Sequence, residues 1–201
     1  MKTIYTVGYA SHTLETFVDV LNKHHVDVVA DVRSSPYSQF KADFNREPFA
    51  AFLKDRGMQY LFFGDFWGAR LTDRSCYVNG QVDFVLASKT ENFAEGMTRI
   101  KKGIKDFRIA LMCAEKDPIA CHRGIWLSRQ LKISGFDVQH ILADGELEAH
   151  HTSEIRLLKK HRLNHPDLFQ TEEQRIVRSY QLQAEKVAFS QEESPDDISR
   201  F

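Results

Sequence analysis

Two short apolar runs constrain this chain more than anything else in it. Arg108-Ile109-Ala110-Leu111-Met112-Cys113 and Val26-Asp27-Val28-Val29-Ala30-Asp31-Val32 show little alternation between apolar and polar positions. A strand that is apolar on both faces must be covered on both faces, as in a parallel sheet between layers of helices. A β-rich opening from Thr3 to Gly8 precedes them. Leu14, Phe17, Val18 and Leu21 then recur at helical spacing before the run at 26–32. Strand, helix and strand in about 30 residues make a βαβ unit with a right-handed crossover. The expected fold is α/β, an open and mainly parallel sheet with flanking helices.

The rest of the chain continues this pattern. Residues 48–57 read as a helix stopped by Gly57, and Met58 to Phe63 as a strand. Gly64 to Gly80 is glycine-punctuated loop. Val82 to Ile104 is amphipathic and holds one or two helices. Asp117 and Pro118 suit the start of a helix running to Ile133, with Gly135 behind it. Val138 to Leu142 is a further strand. Residues 1–146 thus form the α/β core. Residues 147–189 read as a polar helical C-terminal extension anchored by Leu157, Leu158, Ile176 and Val177. Residues 190–201, acidic from Glu192 to Asp197, read as a mobile tail.

Composition excludes several function classes. Hydrophobic residues are 42% of 201, enough to bury a core. Lys and Arg (27) nearly cancel Asp and Glu (28), so no general basic coat exists for phosphate backbones. The basic groups Arg99, Lys101, Lys102, Lys105, Arg108 and Arg156, Lys159, Lys160, Arg162 read as solvated helix faces. Three cysteines, Cys76, Cys113 and Cys121, form no CxxC pair and no disulfide framework. No apolar run is long enough to span a membrane, and no leader pattern stands at the start, so a cytoplasmic location is expected.

The candidate site lies at the ends of the expected strands, where open α/β sheets bind ligands. Cys113 and Glu115 leave one strand. Cys121 follows in the first turn of the next helix, where unpaired N–H groups favour a thiolate, with His122 and Arg123 beside it. No arginine stands five or six residues after either cysteine, so no phosphatase or sulfurtransferase loop is present. Cys121 is the expected nucleophile, His122 the proton carrier and Glu115 an alternative base. Cys113, Cys121 and His122 are also a possible ligand set for zinc or another transition metal, at no standard knuckle spacing. Tyr9, Arg33 and Tyr37 leave two other strands and, with Cys113 and Arg123, are expected to bind substrate. Arg33 and Arg123 would grip an anion, with an Asp31–Arg33 brace the alternative for the former. Gly8 would let a ligand approach the backbone. His140 and the Asp144-Gly145-Glu146 loop end a further strand and would join the same edge, whereas His150 and His151 read as solvated.

Several of these stretches resemble a bacterial and archaeal family catalogued as domain of unknown function 488. The residues are Thr6-Val7-Gly8-Tyr9, Asp31-Val32-Arg33 with Pro36 and Ser38, Phe40, Phe44-Asn45, Tyr60, Gly64 to Gly68, Tyr77 and His140-Ile141. The most specific is Leu111-Met112-Cys113-Ala114-Glu115 followed by Pro118 and Cys121-His122-Arg123. Where the family carries Leu-Gly-Gly, this chain has Gly64-Asp65-Phe66-Trp67-Gly68. The resemblance implies an α/β fold and no assigned reaction. Two readings of function stand. One is an enzyme, a Cys/His-dependent transferase or hydrolase acting on an anionic small molecule, a nucleotide or nucleic acid. The other is a non-catalytic module that binds a nucleotide, nucleic acid or metal.

Overall fold

The structure is a computed structural model that describes residues 2–166 and 168–191. In chain order the elements are β1 (Thr3–Gly8), α1 (Leu14–Lys23), β2 (Val28–Asp31), α2 (Arg46–Lys54), β3 (Gln59–Phe62), α3 (Gly64–Trp67), β4 (Tyr77–Val78) and β5 (Gln81–Val82). Then follow α4 (Phe84–Ala87), α5 (Glu91–Gly103), β6 (Ile109–Cys113), α6 (Arg129–Ile133), β7 (Asp137–Ile141), β8 (Leu147–Ala149), α7 (His150–Lys160) and α8 (Glu172–Val187). Six strands form one sheet in the order β3-β2-β6-β1-β7-β8, parallel except for β8, and β4 and β5 form a separate ribbon. The chain is therefore α/β with helices on both faces of a mainly parallel sheet.

Strand alternation explains the unbroken apolar runs. Ile109, Leu111 and Cys113 join one core with α4, α5, Trp126, Leu157 and Tyr180. Ala110 and Met112 join another with α1, α2, Phe44 and Phe49. Both sides of β6 are thus apolar because both are covered. Helix α1 begins at Thr13, whose hydroxyl accepts from the Thr16 amide while the Thr16 hydroxyl accepts from the Thr13 amide. Gly57 takes a left-handed φ of 77° beyond α2, as a helix stop requires.

Three elements depart from the sequence reading. The expected helix at 118–133 is a 3₁₀ turn (Pro118–Ala120), a π-helical segment (Arg123–Ser128) and α6. The wide π turn is held by the Ser128 hydroxyl, which donates to the Arg123 carbonyl at 2.7 Å. Residues 147–149 are not helical but pair antiparallel to β7. Ser190 bridges to Gln81, so the last described residues return to the β4–β5 ribbon. The acidic stretch 192–201 lies outside the described residues.

A buried polar chain ties β1 and β7 to α7 and α8, and its polarity is fixed throughout. The Tyr180 hydroxyl donates to Glu154 (3.1 Å), so it must accept from Nε2 of His150 (2.8 Å). Nδ1 of His150 is then an acceptor for Nε2–H of His140 (3.0 Å), and Nδ1 of His140 accepts from the Thr6 hydroxyl (2.7 Å). His150 is 5% exposed, which corrects its reading as a solvated residue, while His151 is exposed.

Candidate functional site

Three parallel strand ends meet at one edge of the sheet. Tyr9 donates its amide to the Cys113 carbonyl and Ala10 donates to that of Ala114, so β1 and β6 stay paired past their ends. Beyond them the loop from Ala114 to Asp117 crosses over Gly8. A Cβ at Gly8 would sit 1.9 Å from the Glu115 carbonyl oxygen, so the position admits no side chain. The backbone that approaches Gly8 is the chain's own, where a ligand was the expectation.

The 3₁₀ turn and the π segment return the chain toward that loop and place Cys121 and His122 against Cys113. Nδ1 of His122 lies 3.7 Å from the Cys121 sulfur and 3.8 Å from the Cys113 sulfur. The other ring nitrogen, Nε2, stands 3.1 Å from the Val32 carbonyl, which can only accept. Nε2 therefore carries a proton, and Nδ1 faces the two sulfurs. Oε2 of Glu115 is 3.2 Å from the Cys113 sulfur. The Arg123 amide lies 3.5 Å from the Cys121 sulfur. Cys113, Cys121 and His122 are all buried, and Glu115 is the partly exposed member.

The charges in this cluster are coupled. Burial alone would raise the Cys121 thiol, but its hydrogen bond with Cys113, then Arg123 and His122, hold it well below its ordinary value. The Cys113 thiol is pushed up by Cys121 and by burial. Burial, then Cys121, push Glu115 up to about 7. For His122, burial works against the proton, yet Cys121 and Glu115 raise it overall.

The two arginines of the motif are spent inside the protein. Arg123 is 1% exposed and donates to the carbonyls of Glu115 (2.5 Å) and Lys116 (3.1 Å), closing the loop. Arg33 is bidentate on Asp31 (2.6–3.1 Å), donates to the Phe44 carbonyl at 2.8 Å and lies 4.9 Å over the Tyr9 ring. Tyr60 completes this brace with a 2.7 Å bond to Asp31. Asp31, Tyr9 and Tyr60 face the α1–α2 core, whereas the sulfurs face the other side. Tyr37 is 53% exposed and its hydroxyl donates to Glu47 on α2. The 144–146 loop docks on the end of α1, through Glu146 on Lys23 and the Gly145 carbonyl on His24. The fold thus brings together Cys113, Glu115, Cys121 and His122, with Arg123 as their clamp. Tyr9 and Arg33 stand next door, and Tyr37 and residues 144–146 are elsewhere.

A model of the family described as domain of unknown function DUF488 matches residues 13–129. The chain belongs to this family. The match takes in β2, β6 and all four residues of the cluster. No curated protein and no solved structure matches the chain.

In this DUF488 domain the ligand atoms of Cys113, Cys121 and His122 all lie within 4.8 Å of one another. Metal–sulfur bonds of about 2.3 Å and metal–nitrogen bonds of about 2.0 Å at tetrahedral angles separate S from N by about 3.5 Å. The observed 3.7 and 3.8 Å are hydrogen-bond distances to sulfur that also lie close to the edges such a tetrahedron would have. The Nε2–H bond to Val32 is the outer contact that metal-bound histidines make. The sequence offered this same set as a possible ligand group but at no standard spacing, because the two cysteines converge across a strand, a loop and a 3₁₀ turn. Sequence reading missed His12, which is 3% exposed and follows Ala10 in the loop bonded to Ala114. A histidine between Ser and Thr before a helix carries no signal of its own.

Proposed function

We propose that this DUF488 domain is a metal-dependent transferase or hydrolase, with Cys113, Cys121 and His122 as the ligands of a zinc-type divalent ion. The observation that supports it is the convergence of two sulfurs and one correctly oriented imidazole nitrogen at tetrahedral spacing. Thiolate and imidazole donors in this geometry select zinc among the common divalent ions. An ion held by Cys113, Cys121 and His122 would supply Lewis-acid chemistry, the activation of a water or the polarisation of a substrate oxygen. Glu115, 3.2 Å from the Cys113 sulfur and the partly exposed member of the cluster, is the group that would move a proton. Cys121 then acts as a ligand instead of the nucleophile, in keeping with its 1% exposure. Arg123 and Gly8 hold the Glu115 loop in place.

The test is the metal content of the purified protein by mass spectrometry, with cobalt substitution as the geometric readout. One zinc per chain is expected, lost in Cys121→Ser and His122→Ala and kept in Cys76→Ser, whose thiol is buried elsewhere. Cobalt should give intense visible bands and a thiolate charge-transfer band. A folded protein that takes up neither metal, and whose Cys121 is alkylated rapidly at neutral pH, would replace this reading with a thiol-based one.

A further inference from the structure

The anionic-substrate reading assigned charge recognition to Arg33 and Arg123, but Arg33 is bidentate on Asp31 and Arg123 is 1% exposed with both terminal nitrogens on backbone carbonyls, its Nε alone left without a partner among the described residues. We propose that the anion is held instead by His12, Lys41 and Lys116, and that it is a phosphate group of the substrate. This rests on the cluster of Cys113, Glu115, Cys121 and His122 being the reactive centre, since the loop that carries His12 is bonded to the loop that carries Glu115 and Lys116.

His12 carries the argument. It is 3% exposed, yet its Nε2 has no hydrogen-bond partner. Its Nδ1 has only a long 3.4 Å contact to the Thr16 hydroxyl. The other deeply buried histidines, His122, His140 and His150, have both ring nitrogens engaged. A buried polar atom without a partner costs on the order of 1–3 kcal/mol, so a fold that keeps one is a fold that leaves a place for something else. Two lysines stand near this loop. Lys41 donates to the His12 carbonyl at 2.9 Å and has two further N–H donors. Lys41 and Lys116 both lie close enough to disfavour a proton on His12, behind burial itself. No carboxylate pairs with either lysine among the described residues. Glu15, the nearest acid on α1, turns its carboxylate to its own amide and to Thr13.

The position is set by the backbone. Ala10 donates to the Ala114 carbonyl at 2.9 Å, which lays the 10–13 loop along the 114–116 loop. Lys116 directly follows Glu115. A group bound between His12, Lys41 and Lys116 would therefore have its far end beside Glu115. Two ammonium groups and an imidazole donor match the charge of a dianionic phosphate better than that of a single carboxylate.

The experiment titrates inorganic phosphate into the full-length protein and follows the ring signals of its histidines by NMR, with His12→Asn to assign the resonance. His12 should shift saturably while His140 and His150 stay fixed, and Lys41→Met with Lys116→Met should weaken binding at least about tenfold without changing metal content. An unmoved His12 signal, a shift equalled by chloride at the same ionic strength, or a double variant that binds as well as the parent would overturn the subsite. The two readings fail separately. A saturable His12 shift in a parent protein that takes up neither zinc nor cobalt keeps the subsite and removes the metal. A metal-loaded protein whose His12 ignores phosphate does the reverse.

Discussion

Acidification should loosen this protein through His150. The imidazole is 5% exposed, and its polarity in the chain from Thr6 to Glu154 requires Nδ1 to accept from His140. A second proton would put two N–H groups face to face. Burial is the main cause that lowers its pKa from 6.5 to about 4. Above 6.5 the imidazole is neutral in both the folded and the unfolded chain, so pH has no purchase on it. Between 6.5 and 4 the unfolded chain binds a proton that the folded one refuses, so stability falls with falling pH. Each unit is worth about 1.4 kcal/mol, and the whole gap about 3 kcal/mol. The perturbation is His150→Asn, which removes the titration. Urea unfolding of both proteins at several pH values cancels the groups that His150 does not touch; His140, lowered by burial and then by His150, is the neighbour that remains coupled to it. At pH 7.5 the variant should be less stable by about 1–2 kcal/mol, the cost of the broken bond to Tyr180. Near pH 4 the gap should have moved by about 3 kcal/mol in the variant's favour. A stability difference that stays flat from pH 7.5 to 4 would refute the reasoning.

Three further perturbations follow from the geometry. Asp31→Asn leaves the 6%-exposed Arg33 without its counter-charge and should cost about 3–5 kcal/mol in denaturant unfolding. Gly8→Ala drives a methyl group into the Glu115 carbonyl and against Arg123, so cobalt affinity should fall by about tenfold or more in a spectroscopic titration. Thr6→Val keeps the shape but removes the donor to His140, so thermal unfolding should report a loss of about 1–3 kcal/mol.

The layers were legible because burial on two faces leaves an unmistakable mark. Ile109 to Cys113 and Val28 to Asp31 could only be central strands, and the βαβ pattern placed their ends on one edge. What the pattern did not carry was local geometry that depends on a neighbour. The stretch from Arg123 to Ser128 has helical spacing whether its turns are α or π. Only Gly124, which packs on the Pro118 carbonyl, and the Ser128 bond reveal which it is. Leu147–Ala149 is too short to show a period of two, and its strand state comes from pairing with β7. His150 reads as polar beside His151, yet one is buried and the other exposed, because a helix turns 100° per residue.

The site divides along the same line. Cys113, Glu115, Cys121 and His122 are close in sequence, and one strand–loop–turn brings them together. Arg33 and Arg123 look like anion ligands by composition alone. A guanidinium is a rigid fork of five donors, and such a fork satisfies fixed carbonyls and carboxylates inside a fold better than any other side chain. Arg123 closes the 113–116 loop, and Arg33 joins Asp31 to the Phe44 carbonyl. Arginines beside a motif are for that reason the cations that a tight strand-edge site tends to absorb into its own frame. The charge left over for a substrate is then on flexible side chains from other loops. Lys41 and Lys116 are 75 residues apart in sequence and share no motif with each other or with His12. Their convergence is a property of the 10–13, 38–45 and 114–116 loops, and those loops meet only because β1, β2 and β6 are adjacent and parallel.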